Sequence, residues 1–250
     1  MTDKGHQFDP DDFETVYFQT FEAILVYFCY YKIMIDVINP VAYYDEWADV
    51  FAKQASNEKA NRFEYEKNMP SLLAMSESIT GDVLDFGCGA GNFSVMFQRQ
   101  DRVVDGCDPS NNLLGIARES HQAINFISCN SDGEVETDKT YDLIIAKLVF
   151  HYVVDLDIIL SNLSSKIKEG GHLLFSVPHP DKTQRHFNSN IKEGMYVDEV
   201  GNFGLTLTMV HRTLDRLGTL FADSNLDIVE IVTVYDNEKP KRLNVLTRKL

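Results

Sequence analysis

Three glycines at alternate positions, Gly87, Gly89 and Gly91, follow a short apolar run and precede a helix-like one. The run before them holds Val83, Leu84 and Phe86. After Asn92 come Phe93, Val95, Met96 and Phe97. That order predicts a buried strand, a glycine turn and a helix N-terminus, which together direct backbone N–H groups and the positive helix end at one ligand. Glycine serves where the backbone bends sharply or lets a ligand come close. Asp85, two residues ahead of the first glycine, sets a carboxylate at the strand end, which repels phosphate and suits a ligand carrying an ammonium group. A dinucleotide fingerprint needs G-x-G-x-x-G with pyrophosphate over the turn. Here the spacing is G-x-G-x-G, and Asn92 stands where the third fingerprint glycine would be.

Other chemistry-bearing residues fall at the ends of the segments that follow. Asp108 closes the second apolar segment in Gly106-Cys107-Asp108-Pro109-Ser110, where a carboxylate can accept both hydroxyls of a ribose. Asn130, after Ile124–Ser128, carries both a donor and an acceptor. Lys147 ends the segment Leu143–Lys147, and a cation there has to face a carboxylate, either of the ligand or of Asp142. His151 lies one turn beyond, His179 follows Pro178, and His211 precedes the last helix. Each of the three is either a base or an ordinary hydrogen-bonding histidine.

Taken together, these segments resemble one family. The string Asp85-Phe86-Gly87-Cys88-Gly89-Ala90-Gly91 resembles motif I of the class I S-adenosylmethionine (SAM)-dependent methyltransferases. DPSNNLLGIAR, residues 108–118, is similar to the family's segment after the second strand. Cys129-Asn130-Ser131 stands where the family often has Gly-Asp-Ala. YDLIIAKLVFHYVVD, residues 141–155, is similar to the motif IV region, and VHRTL, residues 210–214, resembles an element of small-molecule members. The resemblance implies SAM as cofactor and S-adenosylhomocysteine as product. The residues it assigns to the cofactor are Asp85, Gly87, Cys88, Gly89, Asp108, Pro109, Leu113, Asn130, Ser131 and Lys147, with Leu113 on the adenine. Tyr44 and Tyr65 come from the segment that closes over the methionine end. His151, His211 and His179 are the implied bases, with Tyr196 as an orienting hydroxyl.

The methyl of a sulfonium is already activated, so in-line transfer asks mainly for proximity and alignment. A base helps only an acceptor that must lose a proton. The expected reaction is transfer to an O or N atom, less often C, of a small molecule. Two readings of other classes stand beside it: a SAM-binding protein that transfers no methyl, and a nicotinamide oxidoreductase in which Asp85 has no role.

The elements that must position these residues follow from pattern. The chain of 250 residues is long enough for one sizeable core, and 44% hydrophobic with 24% charged residues is ordinary for a globular protein. From Gly81 strands and helices alternate, which predicts an α/β, Rossmann-like, mostly parallel seven-stranded sheet with helices on both faces and ligands at the carboxyl ends of the strands. The expected helices are Phe93–Gln100, Asn111–Ser120 and Leu156–Lys168, the last ended by Gly170-Gly171 as its C-cap. Residues 1–80 read as a helical cap or lid and 81–250 as the core, with an insertion at 178–209 forming part of the acceptor cap. Within the cap, a helix from Asp11 or Asp12 to Ile38 is apolar nearly all round. Its Tyr17, Phe21, Tyr27, Phe28 and Tyr31 either shape an acceptor pocket or serve plain packing or a homodimer contact.

The charge sum, 23 basic minus 38 acidic residues, is −15. Such a surface disfavours a nucleic-acid substrate. The apolar stretch 23–31 is too short to span a bilayer, no signal-peptide pattern opens the chain, and the cysteines form no C-x-x-C pair and no zinc spacing. A cytoplasmic, reduced protein without a metal is therefore expected.

Overall fold

Side chains alternate along two neighbouring strands, and that alternation builds the two halves of the core. In a computed structural model that describes residues 40–183, 195–200 and 205–250, β1 (Gly81–Phe86) and β4 (Tyr141–Lys147) lie side by side and parallel. Leu84, Phe86, Ile144 and Ala146 face one layer, where Leu156, Ile159, Leu160, Leu163, Leu217 and Phe221 cover them. Val83, Leu143 and Ile145 face the other, against Met69, Leu72, Met75 and Phe97. Burial on both faces is why these strands read as continuous apolar runs rather than alternating ones.

The remaining strands are β2 (Arg102–Asp108), β3 (Asn125–Ser128), β5 (Ile167–Pro178), β8 (Leu226–Asp236) and β9 (Lys239–Lys249). The sheet has the order β3-β2-β1-β4-β5-β9-β8. The first five strands run parallel, and β9 pairs antiparallel with both β5 and β8. This is the seven-stranded, mostly parallel sheet expected from the alternation. The chain order reverses between β1 and β4, and a crevice opens above the carboxyl ends at such a point.

Two short helices, α1 (Pro40–Glu46) and α2 (Ala48–Ala55), lead through a π-turn (Glu64–Asn68) into α3 (Met69–Met75). Then come α4 (Asn111–Ser120), α5 (Leu156–Lys166), the short α6 (Pro180–Thr183) and α7 (Leu214–Asp223). Pro40–Leu250 forms one compact unit, so residues 40–80 pack with the sheet. The insertion contributes a separate antiparallel hairpin, β6 (Met195–Val200) with β7 (Leu205–Val210). The expected aromatic helix of residues 11–38, with Tyr17, Phe21, Tyr27, Phe28 and Tyr31, and with it the choice between acceptor pocket, packing and homodimer contact, lies outside the described residues. Tyr196 falls within β6.

Two elements differ from the sequence expectation. The helix over Phe93–Gln100 is only a single 3₁₀ turn, Ser94–Phe97, because Gln98 turns to extended backbone. The next residues form a tight turn in which the Arg99 guanidinium donates to the carbonyls of Glu77 and Ile79 and to Asp101. Gly170 and Gly171 do not cap a helix. α5 ends at Lys166; Ile167 already pairs with Tyr141, and the ladder resumes at His172 opposite Leu143, so the glycines sit in a bulge inside β5. Gly170 takes a left-handed φ of 74° there.

Candidate active site

The glycine turn is laced to the end of β2. The N–H groups of Gly87 and Cys88 donate to the Cys107 carbonyl at 2.8 and 3.0 Å, and Gly91 N–H closes the turn on the Cys88 carbonyl at 3.0 Å. Gly87 and Gly89 have φ of 74° and 56°, in the left-handed region. They differ in what surrounds them. A Cβ on Gly87 would meet Val149 Cγ2 at 2.4 Å, whereas one on Gly89 would meet nothing within 4 Å. Gly89 therefore faces an open cradle.

Two buried carboxylates rim that cradle. Asp108 accepts from Gly89 N–H through Oδ2 and from Ser110 N–H through Oδ1, each at 2.9 Å. Asp85 accepts from the Ser94 hydroxyl at 2.6 Å. Burial pushes both carboxyl groups up to about 6, against the hydrogen bonds that hold the ionised forms. Each carboxylate also disfavours ionisation of its neighbours: Asp108 acts on Asp85, and Asp45 on Asp108.

One flank of the cradle is apolar. Leu113 packs with Ala90 of the glycine turn and Ala48, joined by Tyr44 and Phe51. Asp45 joins α1 to α4: its Oδ1 accepts from Ser110 Oγ at 2.7 Å and Asn112 N–H at 2.9 Å. The Tyr44 hydroxyl donates to the Tyr152 hydroxyl at 2.9 Å. Cys88 is buried beside the turn and Pro109 half-buried after Asp108. Asn130 and Ser131 are exposed. The Asn130 carboxamide is engaged in its own turn, accepting from the N–H groups of Asp132 and Glu134 and donating to the Glu134 carboxylate. Tyr65 anchors its hydroxyl on the Ala55 carbonyl at 2.8 Å and stacks on Phe93.

Lys147 finds a partner that sequence reasoning missed. Its Nζ lies 3.1 Å from the Glu64 carboxylate and 3.7 Å from the Phe93 ring centroid. Asp142, one of the two partners expected for it, is taken by Lys168 at 2.7 Å. Glu64 is 7% exposed and also accepts from Arg242 at 2.8 Å and Asn68 at 2.8 Å. Burial alone would raise the Glu64 carboxyl; Lys147 and Arg242 outweigh it and hold the group down at about 2. Burial pushes Lys147 below its ordinary value while Glu64 pulls it back.

Two of the three histidines converge. His151, in a 3₁₀ turn (Phe150–Tyr152) just past β4, and His211, just past β7, line one shallow recess. Its other walls are Phe150, Leu156, Val177, Pro178, Val210, Arg212 and Leu217, with no carboxylate among these residues. The His151 ring stacks on Tyr152 at 4.0 Å. Burial keeps His211 below the usual imidazole value, with Asp181 opposing. His179 lies elsewhere: its Nδ1 accepts from Asp181 N–H at 3.2 Å and its Nε2 sits 3.3 Å from Thr233 Oγ1 on β8.

These residues fit SAM. The cradle at Gly89 is open, two carboxylates raised by burial flank it, one able to meet an ammonium group and the other to accept from ribose hydroxyls, and Leu113 with Tyr44 gives an apolar wall. Among the described residues no group of three or more His, Cys, Asp or Glu is placed to hold a metal ion.

Comparison with known proteins agrees. Residues 44–231 match the model of the methyltransferase-domain family. A ubiquinone biosynthesis O-methyltransferase of Bradyrhizobium diazoefficiens is 28% identical over 146 residues, 52% of this chain and 56% of that protein. The chain spans about half the length of the curated relatives it matches. Among solved structures, the magnesium protoporphyrin IX methyltransferase of Synechocystis with bound S-adenosylhomocysteine superposes with a TM-score of 0.61 at 14% identity, covering 84% of this chain and 98% of that one. The N-methyltransferase NodS of Bradyrhizobium japonicum, with the same ligand, gives 0.56 at 20% identity, covering 75% and 87%. Nothing in these relatives supports the nicotinamide alternative. With the glycine turn, the sheet order and a family match over most of its length in agreement, the chain belongs to the methyltransferase-domain family, in its class I, Rossmann-like form.

Proposed function

We propose that this protein transfers a methyl group from SAM to an oxygen or nitrogen of a small, uncharged acceptor. The observation that carries the reading is one juxtaposition. The open glycine cradle with its two buried carboxylates stands at the carboxyl ends of β1 and β2, and the recess holding His151 and His211 begins one turn past β4, across the chain reversal.

SAM, when bound, supplies a methyl group already activated on a positively charged sulfur. The chain's own residues then bind, orient and exclude water. Asp108 is assigned the ribose hydroxyls, because each of its oxygens has one lone pair spent on a backbone N–H and another to offer. Asp85 provides negative charge at the glycine turn for the ammonium end. Leu113 and Tyr44 form the apolar wall for the base, and Gly87, Cys88, Gly89 and Pro109 shape the floor. Asn130 and Ser131, exposed, border the adenine edge. Lys147 contributes charge near the methionine carboxylate through the Glu64 pair rather than as a bare cation.

His211, kept neutral near pH 7 by burial, can accept a proton from an acceptor hydroxyl, and His151, on the same recess, orients that group. His179 is a remote third base, set against β8. Apart from the two histidines and Arg212 the lining residues are apolar and none is a carboxylate, and the Arg212 guanidinium donates to backbone carbonyls, so the recess suits an uncharged acceptor with one protic group. The insertion 178–209 and the N-terminal helices are assigned to the acceptor cap. Three buried free thiols, Cys88, Cys107 and Cys129, accord with a reducing, cytoplasmic setting.

The test is formation of S-adenosylhomocysteine from SAM across a panel of phenols, hydroxy-quinones, amines and carboxylates. A neutral hydroxylated or amino compound turned over, with kcat lowered by about 10²-fold or more in His211→Asn, supports the reading. Tight SAM binding without turnover of any member would favour a non-transferring SAM-binding protein.

A further inference from the structure

Arg212 is a half-buried cation whose hydrogen-bond partners are backbone oxygens. Its Nη1 donates to the Phe150 carbonyl at 3.0 Å, and its Nη2 donates to the carbonyls of Val153 and, at 2.9 Å, Val154. Among the described residues no carboxylate comes within ion-pair distance of it; Asp155 and Asp157 attract it from farther away and Arg216 repels it. Burial accordingly pushes the guanidinium down to about 10. Even half-buried, a cation without an ion-pair partner is costly, and the backbone carbonyls are what compensate it.

The three carbonyls belong to one short stretch, the 3₁₀ turn Phe150–Tyr152 and the two residues after it. They form the negative end of that turn, where a cation is favoured. A planar guanidinium can bridge three oxygens at fixed angles, which a lysine ammonium cannot. The turn carries His151 and Tyr152, stacked on one another, and Tyr152 continues to Tyr44 beside the glycine turn. On the other side, Arg212 directly follows His211 and the return strand of the insertion hairpin. Arg212 thus links the turn that carries His151 to the chain that carries His211.

We propose that Arg212 is a positioning residue for His151: its guanidinium fixes the 150–154 turn, and with it the imidazole, relative to His211 and the returning strand β7. The role of His151 toward an acceptor rests on the methyl-transfer reading; its placement by Arg212 does not. The proposal accounts for a half-buried arginine that lines the recess and donates to the backbone of the turn beside it.

The experiment uses the full chain labelled with ¹⁵N- and ¹³C-histidine. The imidazole cross-peaks are recorded for wild type, Arg212→Gln and Arg212→Lys, with His151→Asn assigning the His151 peak and His172→Asn assigning that of His172, a histidine on β5 remote from Arg212. S-adenosylhomocysteine binding is measured by calorimetry on the same samples. The expected result is a displaced or broadened His151 peak in Arg212→Gln, a smaller displacement in Arg212→Lys, an unmoved His172 peak, and S-adenosylhomocysteine affinity within about threefold of wild type. An unmoved His151 peak in folded Arg212→Gln overturns the proposal; if that variant does not fold, an unmoved peak in Arg212→Lys does. Failure of wild type to bind S-adenosylhomocysteine overturns the methyltransferase reading instead, and leaves the His151 spectra to decide the role of Arg212.

Discussion

Glu64 is the carboxylate that Lys147 and Arg242 share, so replacing it by glutamine should be severe. The Glu64 carboxyl is held at about 2 instead of its ordinary 4.5. That difference corresponds to about 3 kcal/mol favouring the ionised form in the folded chain, at ~1.4 kcal/mol per pH unit. Glu64→Gln removes the charge and leaves Lys147, 8% exposed, and Arg242, 14% exposed, facing one another across a neutral amide. Breaking a buried pair from one side costs about 3–5 kcal/mol in other proteins, in line with that figure.

For a folded unit of this size the loss is a Tm decrease of about 10 °C, at roughly 2–4 °C per kcal/mol. Urea unfolding followed by far-ultraviolet circular dichroism at pH 7 gives the free energy directly. Because the folded value is depressed, the stabilisation is present above about 4.5 and is lost as the pH falls toward 2, so the gap between wild type and variant should close in acid. Adding Lys147→Met to Glu64→Gln should recover roughly half of the loss, since one uncompensated charge goes with it. A cost below about 1 kcal/mol at pH 7, or no recovery in the double variant, would refute the claim that Glu64 is ionised and shared by the two cations.

Asp85 behaves in the opposite sense. Its folded value is raised to about 6, so its contribution is fully present below about 4 and lost as the pH rises through 6. Asp85→Asn should therefore make the ligand-free protein more stable at pH 7.5, by about 2–3 kcal/mol in urea titration, while removing SAM binding; equal or lower stability contradicts the raised value. Wild-type SAM affinity should rise from pH 5 to pH 7 by tenfold or more in calorimetry, because Asp85 meets the ammonium end, and Asp108 accepts from the ribose hydroxyls, in their ionised forms; a flat profile would contradict that. Gly89→Ala places a methyl group in open space at a φ of 56°, so the fold should lose only about 1–2 kcal/mol while SAM affinity falls by far more. Unchanged affinity would mean the cradle is not the cofactor floor.

What could be read from the sequence was local in it. The glycine turn, Asp108 and the helix Asn111–Ser120 each depend on residues within about a dozen positions, and all three stand where the pattern put them. The two-faced burial of β1 and β4 accords with their continuous apolar runs, whereas the antiparallel pairing of β9 with β5 and β8 was not read from the sequence. The misread elements have physical causes. Gly170-Gly171 has the same signature whether it ends a helix or forms a bulge, and only pairing with β4 decides. The 93–100 helix was cut short by the Arg99 turn, whose acceptors Glu77 and Ile79 lie about twenty residues upstream.

The missed site residues were missed because their partners are far along the chain. Glu64 sits in a polar run, KQASNEKANRFEYEKN, that reads as a solvated face, yet it meets Lys147 and Arg242 across the sheet. One signal was present: a lysine ending a strand buried on both faces must have an acid near it. Asp45 and Arg212 gave no such signal, since their acceptors and donors are backbone groups and side chains more than fifty residues away.

The central claim is that the glycine turn and Asp108 form a SAM site. Calorimetric titration of the purified protein with SAM, S-adenosylhomocysteine and NAD, with Asp108→Ala beside wild type, tests it most directly. The account predicts saturable binding of both adenosyl ligands, no binding of NAD, and a loss of about 2 kcal/mol or more, some thirtyfold in affinity, in the variant. Binding of NAD in place of SAM, or adenosyl affinity untouched by Asp108→Ala, would contradict it.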